Sequence, residues 1–166
     1  MNILSTERLS LREFEVSDAE VFFNLNNDLE VIKYTGDFPF KDLAEAKRFL
    51  ETYEYKKFGY GRWAVILKES NELIGWCGLR RDELMAHTDL GFRFFRKHWG
   101  KGYATEAGKA CIEYGFDKYK LDRIVGKAML LNTQSIKVLE KCGMRFVEER
   151  EFECHAGALY EILPKT

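Results

Sequence analysis

Apolar and polar positions alternate clearly in the first stretch of this chain. From Thr6 to Phe14, Leu9 and Leu11 are separated by polar neighbours, a period of two that predicts a half-buried strand. Ser17 and Glu20 then form a capping-box pattern between Val16 and Val21, which stand at hydrophobic-staple positions, so a helix is expected to begin there. Pro39 punctuates the chain. Beyond it, Leu43, Ala46, Phe49, Leu50 and Tyr53 recur at helical spacing over 42–55.

Two apolar runs, Arg62 to Leu67 and Leu73 to Leu79, are joined by KESNE and read as a hairpin. Asp89 to Phe95 is a third strand of that region, ending at WGKG. A helix running to about Lys118 sets Ala104, Ala107, Cys111 and Tyr114 on one face, small enough for the helix to lie close to a sheet. Arg123 to Met129 predicts a further strand, and Asn132 caps a short helix that stops at Gly143. Met144 to Glu153 and Leu159 to Leu163 close the pattern as strands around a turn containing Ala156 and Gly157. The order of elements predicts one mixed α/β sheet with helices packed on it, in a single domain over 1–166 with no linker or repeat.

Composition narrows what such a domain does. The 26 basic and 27 acidic side chains nearly cancel, so nothing draws the whole molecule to nucleic acid or an anionic membrane. No run of eighteen apolar residues and no basic start with an apolar core is present, so neither a membrane span nor export is expected. Cys77, Cys111, Cys142 and Cys154 are widely spaced and form no paired motif. They are read as reduced thiols of a cytoplasmic protein. His87, His98 and His155 lack ligand-like spacing, so no metal site is expected.

The chemistry concentrates at WGKGYATE, residues 99–106. A P-loop needs Gly-Lys followed by Ser or Thr, and here Lys101 is followed by Gly102. What remains is a helix opening with free N–H donors. Gly100 and Gly102 let a ligand approach the main chain, and the helix terminus adds partial positive charge, a combination suited to a diphosphate or to nothing more than a tight turn.

RLSLREFEVSDAE, DLGFRFFRKHWGKGYATEA and NTQSIKVLEKCGM occur in this order, and together they resemble the GNAT superfamily of acyl-CoA-dependent N-acetyltransferases, most closely its RimJ/RimL-type branch. The resemblance spans essentially the whole chain. It implies the GNAT-type fold, a central twisted, mostly antiparallel mixed sheet flanked by helices, with acetyl-CoA as cosubstrate. The family's diphosphate pattern falls on Trp99, Gly102 and Ala104, where Trp99 replaces the usual Gln or Arg. By the resemblance, Trp99, Gly100, Lys101, Gly102, Tyr103, Ala104 and Thr105 cradle the phosphates. Phe92, Arg93 and Phe94 match the strand whose backbone pairs with the pantetheine arm, and Asn132 matches an asparagine touching that arm.

For catalysis, the tyrosine that many relatives place seven residues after the asparagine is Leu139 here. Ser135 matches the serine of the RimJ/RimL branch and is the candidate to protonate the leaving thiolate. Asp89, two residues before Gly91, is the candidate base, with His87 as a further contact and Glu106 as a structural acid of the helix opening. The aromatic group Tyr34, Phe38, Phe40, Phe58 and Tyr60 is expected mainly in the core. The resemblance implies direct acetyl transfer to a primary amine, a protein N-terminus or a small molecule, by a monomer or homodimer. Two alternatives stand beside it: a CoA-binding sensor without catalysis, and an aminoglycoside acetyltransferase using Asp28, Glu30 and Asp37.

Overall fold

A computed structural model describes residues 2–152 and 154–165. Eight strands form one sheet, in the spatial order β1-β2-β3-β4-β5-β6-β8-β7: β1 (Asn2–Ser5), β2 (Leu9–Arg12), β3 (Arg62–Leu67), β4 (Glu72–Asp82), β5 (His87–Phe94), β6 (Ile124–Met129), β7 (Arg145–Phe152) and β8 (His155–Ile162). The helices are α1 (Ala19–Asn27), α2 (Leu29–Ile32), α3 (Leu43–Thr52), α4 (Tyr103–Tyr119) and α5 (Thr133–Lys141). The mixed α/β, mostly antiparallel sheet flanked by helices is as expected.

Among the described residues, only β5 and β6 run parallel. Their pairing covers Thr88 to Leu90 against Ile124 to Gly126 and then stops, although β5 continues to Phe94 and β6 to Met129. From Gly91 onward, β5 keeps its ladder with β4 and loses its other neighbour. The sheet therefore splits along this line.

The alternation of strands divides the sheet into two unlike faces. One face carries Trp63, Val65, Cys77, Leu79, Leu90 and Phe94 and packs on Ala107, Cys111 and Ile112 of α4, forming the main core. The other face turns Arg62, Trp76, Arg80, Asp89 and Arg93 toward α1 and α3. A second, smaller core of Ala19, Phe22 and Leu50, with Phe14, Phe40 and Trp76 against it, holds those helices over that face.

Several expectations change. The first strand is confined to β2, and an edge strand, β1, precedes it, because Thr6 turns the chain back by donating its N–H to Leu9 O (2.9 Å). Ser17 does not cap the first helix. Asp18 does the work instead: its Oδ2 accepts the Glu15 N–H at 2.8 Å, it takes both ends of the Arg12 guanidinium, and a short 3-10 turn leads into α1 with Val16 left exposed. α3 ends at Thr52, before Tyr53 and Tyr55, whose hydroxyls serve backbone groups of Arg62 and Phe14.

β4 runs on to Asp82 because Arg80, Arg81 and Asp82 keep pairing with β5. Ala156 and Gly157 form no turn; they lie inside β8, between β6 and β7. Their small size serves strand approach, since a Cβ on Gly157 would run into the Phe152 ring. The expected strand end at Glu153 lies outside the described residues.

Candidate active site

α4 opens at Gly102, which has φ of 81° and no side-chain cap. The first N–H bonded within the helix is that of Glu106, to Gly102 O at 3.0 Å, so the amides before it point outward. Gly100 has φ of 72°, and a Cβ there would meet nothing within 4 Å. Open space in front of free donors is what an anion requires.

The mouth is braced from the turn between β1 and β2. Glu106 accepts from Thr6 Oγ1 (2.6 Å), Arg8 N (2.9 Å) and Arg8 Nε (2.6 Å), while Arg8 Nη1 reaches Lys101 O at 2.9 Å. Glu106 is therefore a structural acid, as its place in the first turn suggested. Burial would raise its carboxyl, but these donors outweigh burial and hold it below the ordinary range. Arg8 also lies 4.5 Å over the Tyr103 ring, which keeps a second charge at this opening.

Trp99 explains its own departure from the family pattern. Its indole Nε1 donates to Phe94 O at 2.8 Å, tying the end of β5 to the turn. Phe92 and Phe94 pack in or against the main core, so these residues offer main chain, and not side chain, along the split. Arg93 points the other way, bonding Asn26 of α1 and Asp37 while lying 5.2 Å from the Trp76 ring.

The split and the polar face open into one cavity of about 750 Å³, lined in part by Asp89, Gly91, Phe92, Asn132 and Ser135. Asn132 Oδ1 accepts the Ser135 N–H at 3.2 Å as the cap of α5. Its Nδ2 has no partner among the described residues, nor has Ser135 Oγ, so cap and ligand contact do not compete. Leu139 is fully buried against Gly126, where no hydroxyl faces the cavity.

Asp89, the candidate base, is a buried acid. It is 5% exposed, and Arg62 Nη2 binds its Oδ2 at 2.5 Å. Arg62, also buried, bonds Gly78 O (2.5 Å) and Asp89 O (3.0 Å), and a Cβ on Gly91 would stand 2.5 Å from its guanidinium. Burial alone would raise the Asp89 carboxyl; the Arg62 and Arg80 charges outweigh it and hold the group below its ordinary value. A carboxylate so stabilised is a weak proton acceptor and a firm anchor for a cation. Its Oδ1 is buried without a hydrogen bond, with Arg80 Nε 3.7 Å away.

His87 is buried, and burial followed by the Lys127 charge lowers its imidazole, leaving it neutral at pH 7. It lies two residues farther from the split than Asp89, roughly 7 Å along a strand. The expected aromatic core divides: Tyr60 is buried, Tyr34 and Phe40 line the cavity, and Phe38 is 90% exposed at its edge. Arg62, Trp76 and Arg80 were not foreseen as site residues. The available signal was an arginine opening the otherwise apolar run RWAVIL, opposite strand glycines.

Cys77 and Cys111 face each other at 3.7 Å in the core, both fully buried and away from the cavity, and burial pushes the Cys77 thiol well up. Among the described residues no His, Cys, Asp and Glu group has the arrangement of a metal site, and no helix is long and apolar enough to cross a membrane.

The fold and this opening define an acyltransferase domain. The model of the acetyltransferase (GNAT) domain matches residues 8–145, and the chain belongs to that family. It is an acetyl-CoA-dependent N-acetyltransferase. The uncharacterized N-acetyltransferase p20 of Bacillus licheniformis is 36% identical, over 98% of this chain and 93% of its own length. A GNAT-family acetyltransferase structure from Bacillus anthracis superimposes with a TM-score of 0.85 at 30% identity, covering 96% and 97% of the two chains. RimL, a ribosomal alpha-N-protein acetyltransferase solved in complex with coenzyme A, gives 0.83 at 15% identity over 98% of each chain, a likeness of fold.

Proposed function

We propose that the protein passes acetyl from acetyl-CoA directly to a primary amine, with both substrates bound together and no acyl-enzyme, as a member of the RimJ/RimL-type branch. The observation that carries this reading is the uncapped mouth of α4 at the end of β5, together with the split between β5 and β6 that opens into the cavity. Residues Trp99 to Thr105 hold the diphosphate through backbone N–H groups, with Arg8 and Lys101 supplying charge nearby. The free edge of Phe92, Arg93 and Phe94 receives the pantetheine amides, and Asn132 Nδ2 donates to the same arm.

Acetyl-CoA supplies the activated carbonyl and the leaving thiol. Ser135 Oγ, free to donate, hydrogen-bonds the thiolate in place of the absent tyrosine. Asp89 holds the amine through Oδ1 and orients it, and the proton leaves by way of water. An α-amine, with a reference pKa near 8, asks little of a base.

Binding of acetyl-CoA is expected to raise the melting temperature, and Gly102→Glu to abolish that rise. Circular dichroism and the melting point of the unliganded variant control for the positive φ at Gly102. An undiminished rise in a folded Gly102→Glu protein would place the diphosphate elsewhere. Thiol release across an amine panel separates the enzyme from a non-catalytic sensor: tight cofactor binding with silence toward every amine favours the sensor.

A further inference from the structure

The cavity floor carries a third charge beside the Arg62–Asp89 pair. Arg62 and Asp89 neutralise one another, which leaves Arg80 as a guanidinium 63% exposed, with no hydrogen bond among the described residues. Its Nε stands 3.7 Å from Asp89 Oδ1, too far for a hydrogen bond. Beneath it, that carboxylate oxygen is buried and unpartnered. An ionised oxygen in such a place normally has a donor.

We infer that the acceptor is an α-amino carboxylate, its amine taken by Asp89 Oδ1 and its carboxylate by Arg80; this deepens the acetyl-transfer reading above and rests on it. The spacing fits. In an α-amino acid the nitrogen and the nearer carboxylate oxygen are separated by one carbon and the carboxyl carbon, roughly 3 Å. Arg80, exposed and held by no hydrogen bond among the described residues, lifts from Asp89 and exchanges one carboxylate for another while the ammonium takes its place. Charge is conserved in that exchange, so neither buried Asp89 nor the ligand is left without a counter-charge.

The remaining charges select against a polyamine or an aminoglycoside. Asp37 is held by Arg93, Asp82 lies 3.5 Å from Lys127, and Asp28 of the neighbouring helix start binds Arg96 at 2.7 Å. Glu151 alone, exposed on β7, is an acid of the cavity lining without an ion pair among the described residues. A polycation would have to displace arginine or lysine from each of the others. Above the floor, Phe49 and Tyr53, their rings 5.7 Å apart, form an aromatic wall for the acceptor's side chain, with Trp76 in the floor facing it.

The test is thiol release from acetyl-CoA with free amino acids bearing apolar, acidic and basic side chains, each paired with its carboxamide, and with spermidine. The free acids are expected to exceed their amides by about tenfold or more in kcat/KM, chiefly through KM. Arg80→Gln brings that ratio to near one, while the acetyl-CoA melting shift remains. Amides or spermidine used as well as the acids, or a ratio untouched in Arg80→Gln, would overturn the assignment. If no amine releases thiol, calorimetric titration of the same pairs into the CoA complex decides. Preferential binding of the acids upholds the acceptor class and overturns acetyl transfer; equal or absent binding overturns both.

Discussion

Arg62 reaches from β3 across β4 to close on Asp89 of β5, and both groups are buried in the floor of the cavity. Neither end tolerates loss of the other. Arg62→Met leaves the buried carboxylate without its hydrogen-bonded partner, with Arg80 alone 3.7 Å away, and is expected to cost about 3–5 kcal/mol in denaturant unfolding. Asp89→Asn, which keeps a hydrogen-bonding group, should cost less. A Met variant as stable as the parent would show that the pair does not hold these strands together.

Acid unfolding follows from Asp89 and Glu106. Both are held below their ordinary values when folded, so their contribution is complete above the unfolded pKa of about 4 and is lost as pH falls through the folded values. Stability should stay nearly level from pH 7 to about 5 with respect to these groups and decline below that. The Asp89→Asn protein should decline less steeply. Equal slopes, measured by urea midpoint at each pH, would remove Asp89 from the account.

Ser135→Ala tests the thiolate contact. Asn132 caps α5 through the Ser135 backbone, so the fold should be unaffected. Turnover is expected to fall on the order of tenfold to a hundredfold with acetyl-CoA affinity unchanged. Parental kcat would take Ser135 out of the mechanism.

Glu106→Gln reports on the brace at the helix mouth. Losing the ion pair to Arg8 weakens a partly buried network by about 1 kcal/mol and frees Lys101 O from its tether. Acetyl-CoA affinity, by calorimetry, should drop several-fold while the amine KM stays put. A change confined to the amine would contradict the placement of this network at the cofactor end.

Leu139→Tyr asks whether the missing acid is a simple vacancy. Leu139 packs on Gly126 in the core, so the larger ring overpacks it and should cost about 1–3 kcal/mol without raising kcat. A faster, equally stable variant would mean the cavity reaches that position.

Much of the scaffold was legible where a pattern is local. The run RWAVIL, the cap at Asn132 and the small-residue stripe of α4 are each fixed by neighbours a few residues away, and they fall where expected. The start of α1 was misplaced because Asp18 wins a backbone N–H and an arginine that Ser17 cannot reach. The floor of the cavity was illegible for a different reason. Arg62, Gly78 and Gly91 come together only through the register of three strands, with Arg62 opposite Gly78 and Gly78 opposite Gly91, and no single stretch of sequence displays that alignment.

The short parallel junction has a mechanical consequence. Five strands on one side and three on the other are fastened by three rungs, a narrow seam for two plates of such size. Coenzyme laid along the gap would act as mortar, and amide deuterium uptake on β6 and β8 should slow with it in place more than anywhere in β1 to β3.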